Sequence, residues 1–206
     1  MVTNGLIEKA FSDNDFAIIK LATPVTFSDR VKPICLPSLL TDYDNKVATV
    51  SGWGRTIGGG PVSDILQKVN YVCLPKHPFP SIEFVSIFQI DLNTMTNAQC
   101  SSPPNLWEPN LISNNMICAY DSGKSVCNGD SGGPLVTNEG KYYSVIGKNI
   151  VYEFNFTCRC FVGVVSWGRG GCPVGTNYPN VYARVTSQLL WIKKYISGTT
   201  CPKPIL

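Results

Sequence analysis

The feature that most constrains this chain is the segment Cys127-Asn128-Gly129-Asp130-Ser131-Gly132-Gly133-Pro134. Its serine lies among glycines, and the proline stops any helix from continuing. Small neighbours let another backbone approach the hydroxyl, and they let backbone N–H groups point at one spot. Acyl-transfer chemistry requires such an arrangement, although a glycine-rich turn with an incidental serine has the same composition. A base and an orienting acid elsewhere in the chain would decide between the two interpretations.

Composition favours a turn-rich β protein from an oxidising compartment. The chain has 206 residues, with 18 Gly, 15 Pro and 15% charged residues, which is closer to an all-β domain than to a helical one. Nine cysteines favour a secreted protein. The net charge of +3 is too small and scattered to indicate a nucleic-acid partner, and no apolar run reaches membrane-spanning length. Residues 1–8 do not have the basic and apolar regions of a signal peptide, so we expect a chain that is incomplete at its front.

Short apolar runs predict strands along most of the chain. Asp13-Asn14-Asp15 leads into Phe16–Leu21, which reads as a buried strand with carboxylates at its start. Taken alone, Asp15 is a turn or capping acid. A helix is predicted from Ser187, as its cap, to Gly198, with Leu189, Ile192 and Ile196 on one face. Further strands are predicted at 47–51, 66–69, 116–119, 163–168 and 180–185, and a hairpin at 135–137 with 142–146.

The spacing Gly129-x-Ser131-x-Gly133 also matches the nucleophile elbow of α/β-hydrolases. Those enzymes place the acid and the histidine after the serine, and no histidine follows Ser131. The surrounding pattern does not have the alternating helices that a parallel sheet requires. Chain order and strand pattern therefore argue against that class.

Several motifs together resemble the trypsin/chymotrypsin-like serine proteases. They are Asp15–Leu21, Ser51-Gly52-Trp53-Gly54, Gly129–Pro134, Ser166-Trp167-Gly168, Val181–Val185 and the closing helix with Trp191. The resemblance implies an all-β fold, a chymotrypsin-like double β-barrel with the first barrel largely missing, plus a C-terminal helix. It assigns residues 1–198 to a partial protease domain and 199–206 to a tail.

The resemblance also implies roles for individual residues. Ser131 is the nucleophile, Asp15 is the acid that orients the catalytic histidine, and the N–H groups of Gly129 and Ser131 form the oxyanion hole. Ser166 supports the acid, and Asp130 pairs with a newly cut N-terminus on activation. The specificity pocket is formed by Ser125, Ser166, Trp167, Gly168 and Asn180.

The pocket residues depart from the trypsin pattern in two places. Ser125 stands six residues before the nucleophile, where trypsin-like enzymes hold an aspartate. Asn180 replaces the usual glycine and would narrow the pocket or add a polar group at its base, while Gly168 leaves the mouth open. A cationic P1 side chain would meet no carboxylate, so we expect a chymotrypsin-like or smaller apolar P1 residue.

The catalytic histidine is the missing part. In this family it lies upstream of the acid, in an Ala-Ala-His-Cys-like stretch that the sequence does not contain. His77, the only histidine, follows Asp15 and is interpreted as a loop residue between Lys76 and Pro78. We therefore expect a serine-type endopeptidase whose chain as given is incomplete and inactive. The alternative is a non-catalytic homologue that acts as a binding or regulatory module. Expected partners are protein or peptide substrates and serine protease inhibitors, with no metal or cofactor and no membrane.

By the same resemblance the cysteines predict two disulfides, and two segments have an unusual composition. The resemblance implies disulfides Cys100–Cys118 and Cys127–Cys172, leaves Cys35 without a partner, and places a further family bridge at Ala48 and Thr137, which are not cysteines. Residues 71–91 and 148–162 read as atypical insertions, either read-through segments such as retained introns or genuine surface insertions. The second holds the glycosylation sequon Asn155-Phe156-Thr157 and would interrupt the strand that leads to Ser166.

Overall fold

A computed structural model gives the fold and describes residues 2–3, 13–68, 90–105, 107–121, 123–145, 151–172 and 177–196. Strands dominate it, with two short helices and one 3-10 turn at Pro109–Leu111. The strands are β1 (Val2–Thr3), β2 (Ala17–Ile18), β3 (Val47–Gly52), β4 (Gln67–Lys68), β5 (Ile90–Met95), β6 (Met116–Tyr120), β7 (Pro134–Val145), β8 (Val151–Trp167) and β9 (Asn180–Arg184). The helices are α1 (Asn97–Cys100) and α2 (Val185–Ile192).

Six antiparallel strands close into a barrel. Their order is β3-β5-β6-β9-β8-β7, and β7 pairs back onto β3. The closing register joins Ala48 to Thr137 and Val50 to Leu135, while the opposite edge of β3 pairs with β5. Closure removes the unpaired edges that an open sheet would leave. The all-β fold with a C-terminal helix is confirmed. Of the expected double barrel, the described residues contain this closed ring and the separate β1–β2 pair.

The barrel interior follows from the apolar pattern of its strands. In β3 the side chains of Ala48 and Val50 are buried and Val47 is exposed, as expected when one face of a strand meets the core. Strand β6 is buried on both faces, because Ile117 and Ala119 join one core cluster and Met116 and Cys118 join another. A strand with two buried faces reads as a continuous apolar run, which is how Met116–Ala119 appears in the sequence.

Disulfides tie the loops to the barrel. Cys100–Cys118 and Cys127–Cys172 are both formed, as predicted. Cys35 is also disulfide-bonded, so the expectation that it has no partner is wrong. Ala48 and Thr137 lie directly opposite each other in the β3–β7 ladder, where the family bridge was expected to be missing.

The C-terminal helix starts earlier than its sequence signals suggest. Helix α2 begins at Val185, and the Ser187 hydroxyl donates to the Arg184 carbonyl at 2.7 Å, so the prediction of a Ser187 N-cap is wrong. The predicted apolar face is confirmed, because Leu189 and Ile192 are buried with Val185 and Ile196 packs against them. Among the described residues, no helix has the length and apolar character to cross a membrane.

Strand β8 is longer than the sequence pattern suggests. Residues 151–162, most of the second atypical segment, form its first part and pair with β7 from Val145 back to Val136. The predicted hairpin around Asn138-Glu139-Gly140 is wrong, because these residues form a register irregularity within β7. A bulge accommodates extra residues without ending a ladder, so the segment does not interrupt the strand that leads to Ser166. Cys160 and Val162 are buried in the core.

The segment after Asp15 differs from its predicted form. Only Ala17 and Ile18 form a strand, and Ile19 and Leu21 are 70% and 56% exposed, so the prediction of a buried strand is wrong for these two. Phe16 and Ile18 pack against the apolar face of α2, while the alternate side chains point away from it. His77 and residues 71–89 of the first atypical segment lie outside the described residues.

Two buried threonines provide a matched test of the barrel. The Thr94 hydroxyl accepts from Lys46 N–H at 2.8 Å and donates to the Tyr43 carbonyl at 2.6 Å, whereas the equally buried Thr137 hydroxyl has no partner among the described residues. We predict that Thr94→Val lowers the free energy of unfolding by about 1–3 kcal/mol, because it removes the hydroxyl that bonds both the Lys46 N–H and, in a buried contact, the Tyr43 carbonyl. Thr137→Val should be neutral or stabilising. Chemical denaturation with intact disulfides measures both, and equal losses would contradict the assignment.

Candidate active site

The Ser131 loop is a pair of tight turns anchored to β8. Asp130 N–H donates to the Cys127 carbonyl at 3.0 Å, and Gly133 N–H donates to the Asp130 carbonyl at 2.9 Å. Gly129 and Gly132 have φ of +100° and +79°, conformations that side chains other than glycine rarely tolerate. This geometry leaves the Ser131 side chain exposed.

Two backbone hydrogen bonds set the loop against the strand beside it. Gly132 N–H donates to the Val165 carbonyl at 2.9 Å, and Val165 N–H donates to the Gly133 carbonyl at 2.9 Å. The residue after Val165 is Ser166, a predicted site residue. The loop with Ser131 is therefore tied to β8 immediately before Ser166.

The Asp130 carboxylate is held by two backbone donors. Its Oδ1 accepts from Gly54 N–H at 2.7 Å and its Oδ2 accepts from Cys127 N–H at 3.0 Å. Gly54 belongs to the Ser51–Gly54 motif, which overlaps the end of β3, so the carboxylate links that motif to the Ser131 loop. The role of Asp130 in activation stays a prediction.

Tyr182 is a buried phenol in the barrel core. Its side chain is fully buried, and its hydroxyl has no partner among the described residues. Burial, and secondarily the negative charge of Asp130, raise the pKa of Tyr182 well above the ordinary tyrosine value. The phenol is therefore neutral across the physiological pH range and carries no charge into the site.

The predicted oxyanion donors are the N–H groups of Gly129 and Ser131. Within the described part of the chain, neither group donates to an acceptor. A Cβ at Gly129 would lie 3.1 Å from Gly54 Cα and 3.2 Å from Val62 Cγ1, closer than most Cβ contacts. This crowding and the positive φ both favour glycine at this position. Unused N–H groups at an exposed turn are available for an anionic oxygen, and their role stays a prediction.

The predicted acid and its predicted support are in contact. Ser166 Oγ donates to Asp15 Oδ2 at 2.7 Å, across a sequence separation of 151 residues. The folded chain thus brings Asp15 to the end of β8, next to the residue that anchors the Ser131 loop. Among the described residues, no hydrogen bond joins Ser131 to Asp15.

The predicted pocket residues also meet. Ser125 Oγ lies 3.1 Å from Asn180 Oδ1 and 2.9 Å from the Val126 carbonyl, and Asn180 is 4% exposed. A Cβ on Gly168 would lie 3.1 Å from Asn180 Oδ1, so the amide faces the backbone of Gly168. Asn180 therefore places a polar group between Ser125 and Gly168, and none of the three carries a charge.

An aromatic group next to the pocket was not predicted. Trp107 packs edge-on against Trp167 at 4.9 Å and against Tyr178 at 4.7 Å, and its Nε1 donates to the Pro179 carbonyl at 2.8 Å. The Arg169 guanidinium lies over the Tyr178 ring at 4.3 Å. Trp107 lies far from these partners in sequence and follows no motif, so the sequence carried no signal for it.

Comparison with known proteins identifies the family of the chain. The family model described as Trypsin matches residues 2–82 and 84–192. The chain belongs to the trypsin family of serine endopeptidases. It is similar to Trypsin alpha-4 of Lucilia cuprina, at 35% identity over 87% of this chain and 52% of the relative. It is also similar to Trypsin alpha-3 of the same organism, at 34% identity over 87% of this chain and 81% of the relative. The chain thus spans about half the length of the first relative.

The position of the Asp130 carboxylate can be tested by adding one methyl group at Gly54. A Cβ on Gly54 would overlap the Asp130 carboxylate, whereas a Cβ on Gly170 would meet nothing within 4 Å. We predict that Gly54→Ala lowers the free energy of unfolding by about 1–3 kcal/mol, because it displaces a charged acceptor from its two N–H donors. Gly170→Ala is the matched control and should change stability little. Chemical denaturation of both variants provides the measurement, and indistinguishable unfolding curves would contradict this position of the Asp130 carboxylate.

Proposed function

We propose that the protein containing this chain is a serine endopeptidase in which Ser131 is the nucleophile and Asp15 the acid. The observation that carries the proposal is the Ser166–Asp15 hydrogen bond of 2.7 Å, one residue beyond the Val165 anchor of the Ser131 loop. Through these contacts, two residues separated by most of the chain approach the same end of β8. A serine hydroxyl is a weak nucleophile alone, so such a pair is productive only around a base.

The proposed reaction is acyl transfer in two steps. A base removes the Ser131 proton while Oγ attacks the scissile carbonyl carbon, and the carbonyl oxygen becomes an oxyanion facing the Gly129 and Ser131 N–H groups. The same base then protonates the leaving amine, and water releases the acyl group from Ser131 by the reverse sequence. Asp15 fixes the tautomer of the base and stabilises its cationic form.

In this proposal the base is a histidine supplied by a segment other than these 206 residues. His77 follows the acid in the chain, and the family places its catalytic histidine before the acid. A general base must lie within hydrogen-bond reach of both Ser131 and Asp15, and His77 lies outside the described residues. The polypeptide of 206 residues is therefore proposed to be inactive by itself.

The proposed substrates are polypeptides, and serine protease inhibitors are proposed partners at the same site. We place the protein outside the cell, a location supported by its two described family disulfides, since such bonds persist in oxidising compartments. The second candidate function is a non-catalytic module that binds polypeptides. The only histidine of the sequence, His77, follows the acid in the chain, and this order favours the non-catalytic module. The intact Gly129–Pro134 motif favours the enzyme.

A fluorophosphonate probe tests the nucleophile. We expect the 206-residue chain to be labelled only at background level. The full-length protein, collected from culture medium and cut by limited proteolysis to create the new N-terminus that Asp130 is proposed to bind, should be labelled stoichiometrically at Ser131. Ser131→Ala should abolish labelling of the full-length protein, and imidazole added to the short chain should accelerate labelling as a substitute base.

Three results would overturn parts of this proposal. Stoichiometric labelling of the short chain without imidazole would show that it holds its own base. A full-length protein that is neither labelled nor able to cleave peptides would favour the non-catalytic module. Recovery of the labelled protein from the cell lysate instead of the medium would contradict the extracellular location.

The predicted pocket residues Ser125, Gly168 and Asn180 carry no charge. We therefore propose that the enzyme prefers an uncharged P1 residue, either a large apolar one as chymotrypsin does or a smaller apolar one. Ser125→Asp in the full-length protein should raise kcat/KM for P1 Arg substrates about 10- to 100-fold, because it supplies a charged acceptor at the pocket base. Ser125→Asn is the matched control of similar shape without the charge, and should give no such gain. A full-length protein that already prefers P1 Arg would contradict the proposal.

A further inference from the structure

The turn before Asp15 is held by side chains from another part of the chain. Asp13 Oδ1 accepts from Ser113 Oγ at 2.5 Å, and Asp13 Oδ2 accepts from Asn115 Nδ2 at 3.2 Å. Ser113 and Asn115 lie in the loop that leads into β6. Asn14 has a φ of +55°, a left-handed conformation that asparagine tolerates better than most residues, and Phe16 N–H donates to its carbonyl at 2.7 Å. Asp15 follows directly on this tight turn.

Helix α2 also contributes a hydrogen bond to this turn. Gln188 Nε2 donates to Asn14 Oδ1 at 2.5 Å, across 174 residues of sequence. Gln188 is 8% exposed and lies in the helix among the buried Val185, Leu189 and Ile192. An amide buried in apolar surroundings is costly unless it forms hydrogen bonds, so a bond to Asn14 gives this glutamine a specific task.

Asp15 itself has little else to fix it. Its side chain is exposed and is bonded to the Ser166 hydroxyl, which comes from β8. A single hydrogen bond at an exposed carboxylate does not determine where the backbone carrying it must lie. Packing of Phe16 and Ile18 against α2 holds the backbone after Asp15, and hydrogen bonds to Asn14 and Asp13 hold the backbone before it.

We propose that Gln188, Ser113 and Asn115 are positioning residues for the acid of the active site. Gln188 holds Asn14, Ser113 and Asn115 hold Asp13, and together these bonds, which we call the acid clamp, place the Asp15 carboxylate on Ser166. The catalytic consequence rests on the proposed function, because it requires Asp15 to orient a base. The placement of Asp15 on Ser166 is independent of that function.

The first test measures placement without activity. In protein labelled with ¹³C at aspartate carboxyl carbons, Ser166→Ala defines the change in the Asp15 resonance that accompanies loss of the Ser166 bond. We expect Gln188→Leu, which keeps the size of the side chain and removes its donor, to shift the Asp15 resonance in the same direction. Leu190→Gln on the exposed face of α2 is the matched control and should leave the resonance unchanged.

A second variant guards against a folding defect in the first. Asn14→Gly keeps access to the positive φ and removes the acceptor of Gln188. We expect it to reproduce the resonance shift, and the double variant Asn14→Gly, Gln188→Leu to add nothing further, because both changes break the same bond. An Asp15 resonance that matches the parent in either folded single variant would overturn the acid clamp.

The second test measures the catalytic consequence in the full-length protein. With active sites counted by titration, Gln188→Leu should lower kcat about 10- to 100-fold and leave KM nearly unchanged, because a displaced acid impairs chemistry and leaves the binding surface intact. A purely structural role would reduce the number of active sites and leave kcat per site as in the parent. That result would overturn the catalytic part of the inference.

The two tests separate this inference from the proposed function. A full-length protein that neither labels at Ser131 nor turns over peptides would refute the proposed function, while the carboxyl resonances would still decide whether the acid clamp places Asp15. An active parent whose Gln188→Leu variant keeps both its kcat and its Asp15 resonance would refute the acid clamp alone.

Discussion

The pairing of β7 with β3 is the contact on which the rest of the site depends. Because Ala48–Val50 pair with Leu135–Thr137, the residues that follow β3 lie beside the residues that precede β7. Gly54 then meets the Asp130 carboxylate, and Arg55 N–H donates to the Asn128 carbonyl at 2.9 Å. Closing the barrel thus brings Gly54 N–H to the Asp130 carboxylate in the Ser131 loop, a donor that an open sheet would leave out of reach.

Local requirements explain what the sequence could predict. The Ser131 loop needs positive φ at Gly129 and Gly132 and a compact backbone, and such demands are visible in a handful of adjacent residues. The two disulfides and the approach of Asp15 to Ser166 came from the family resemblance, which carries long-range pairings that no local pattern contains. The apolar face of α2 followed from helical spacing.

Features set by distant contacts were missed. Trp107 packs against Trp167, a predicted pocket residue, and Gln188 binds Asn14, and in both cases the partner lies far away in the sequence. The Ser187 hydroxyl reads as a helix cap in the sequence, yet α2 begins two residues earlier at Val185, whose side chain is buried in the core. The hairpin around Asn138 failed for a similar reason, because turn-forming residues inside a long ladder can be absorbed as a bulge.

Packing and hydrogen bonding both hold the segment that carries Asp15, the proposed acid. Phe16 and Ile18 fasten the strand after Asp15 to the apolar face of α2, but hydrophobic contact has no direction and would tolerate rotation of the segment. Hydrogen bonds at Asp13 and Asn14 are directional and remove that freedom on the other side of Asp15. Since α2 supplies both the apolar surface and Gln188, the C-terminal helix takes part in the geometry of the site as well as in stability. A carboxylate that must face a base within hydrogen-bond reach requires this second, directional constraint, which burial alone does not provide.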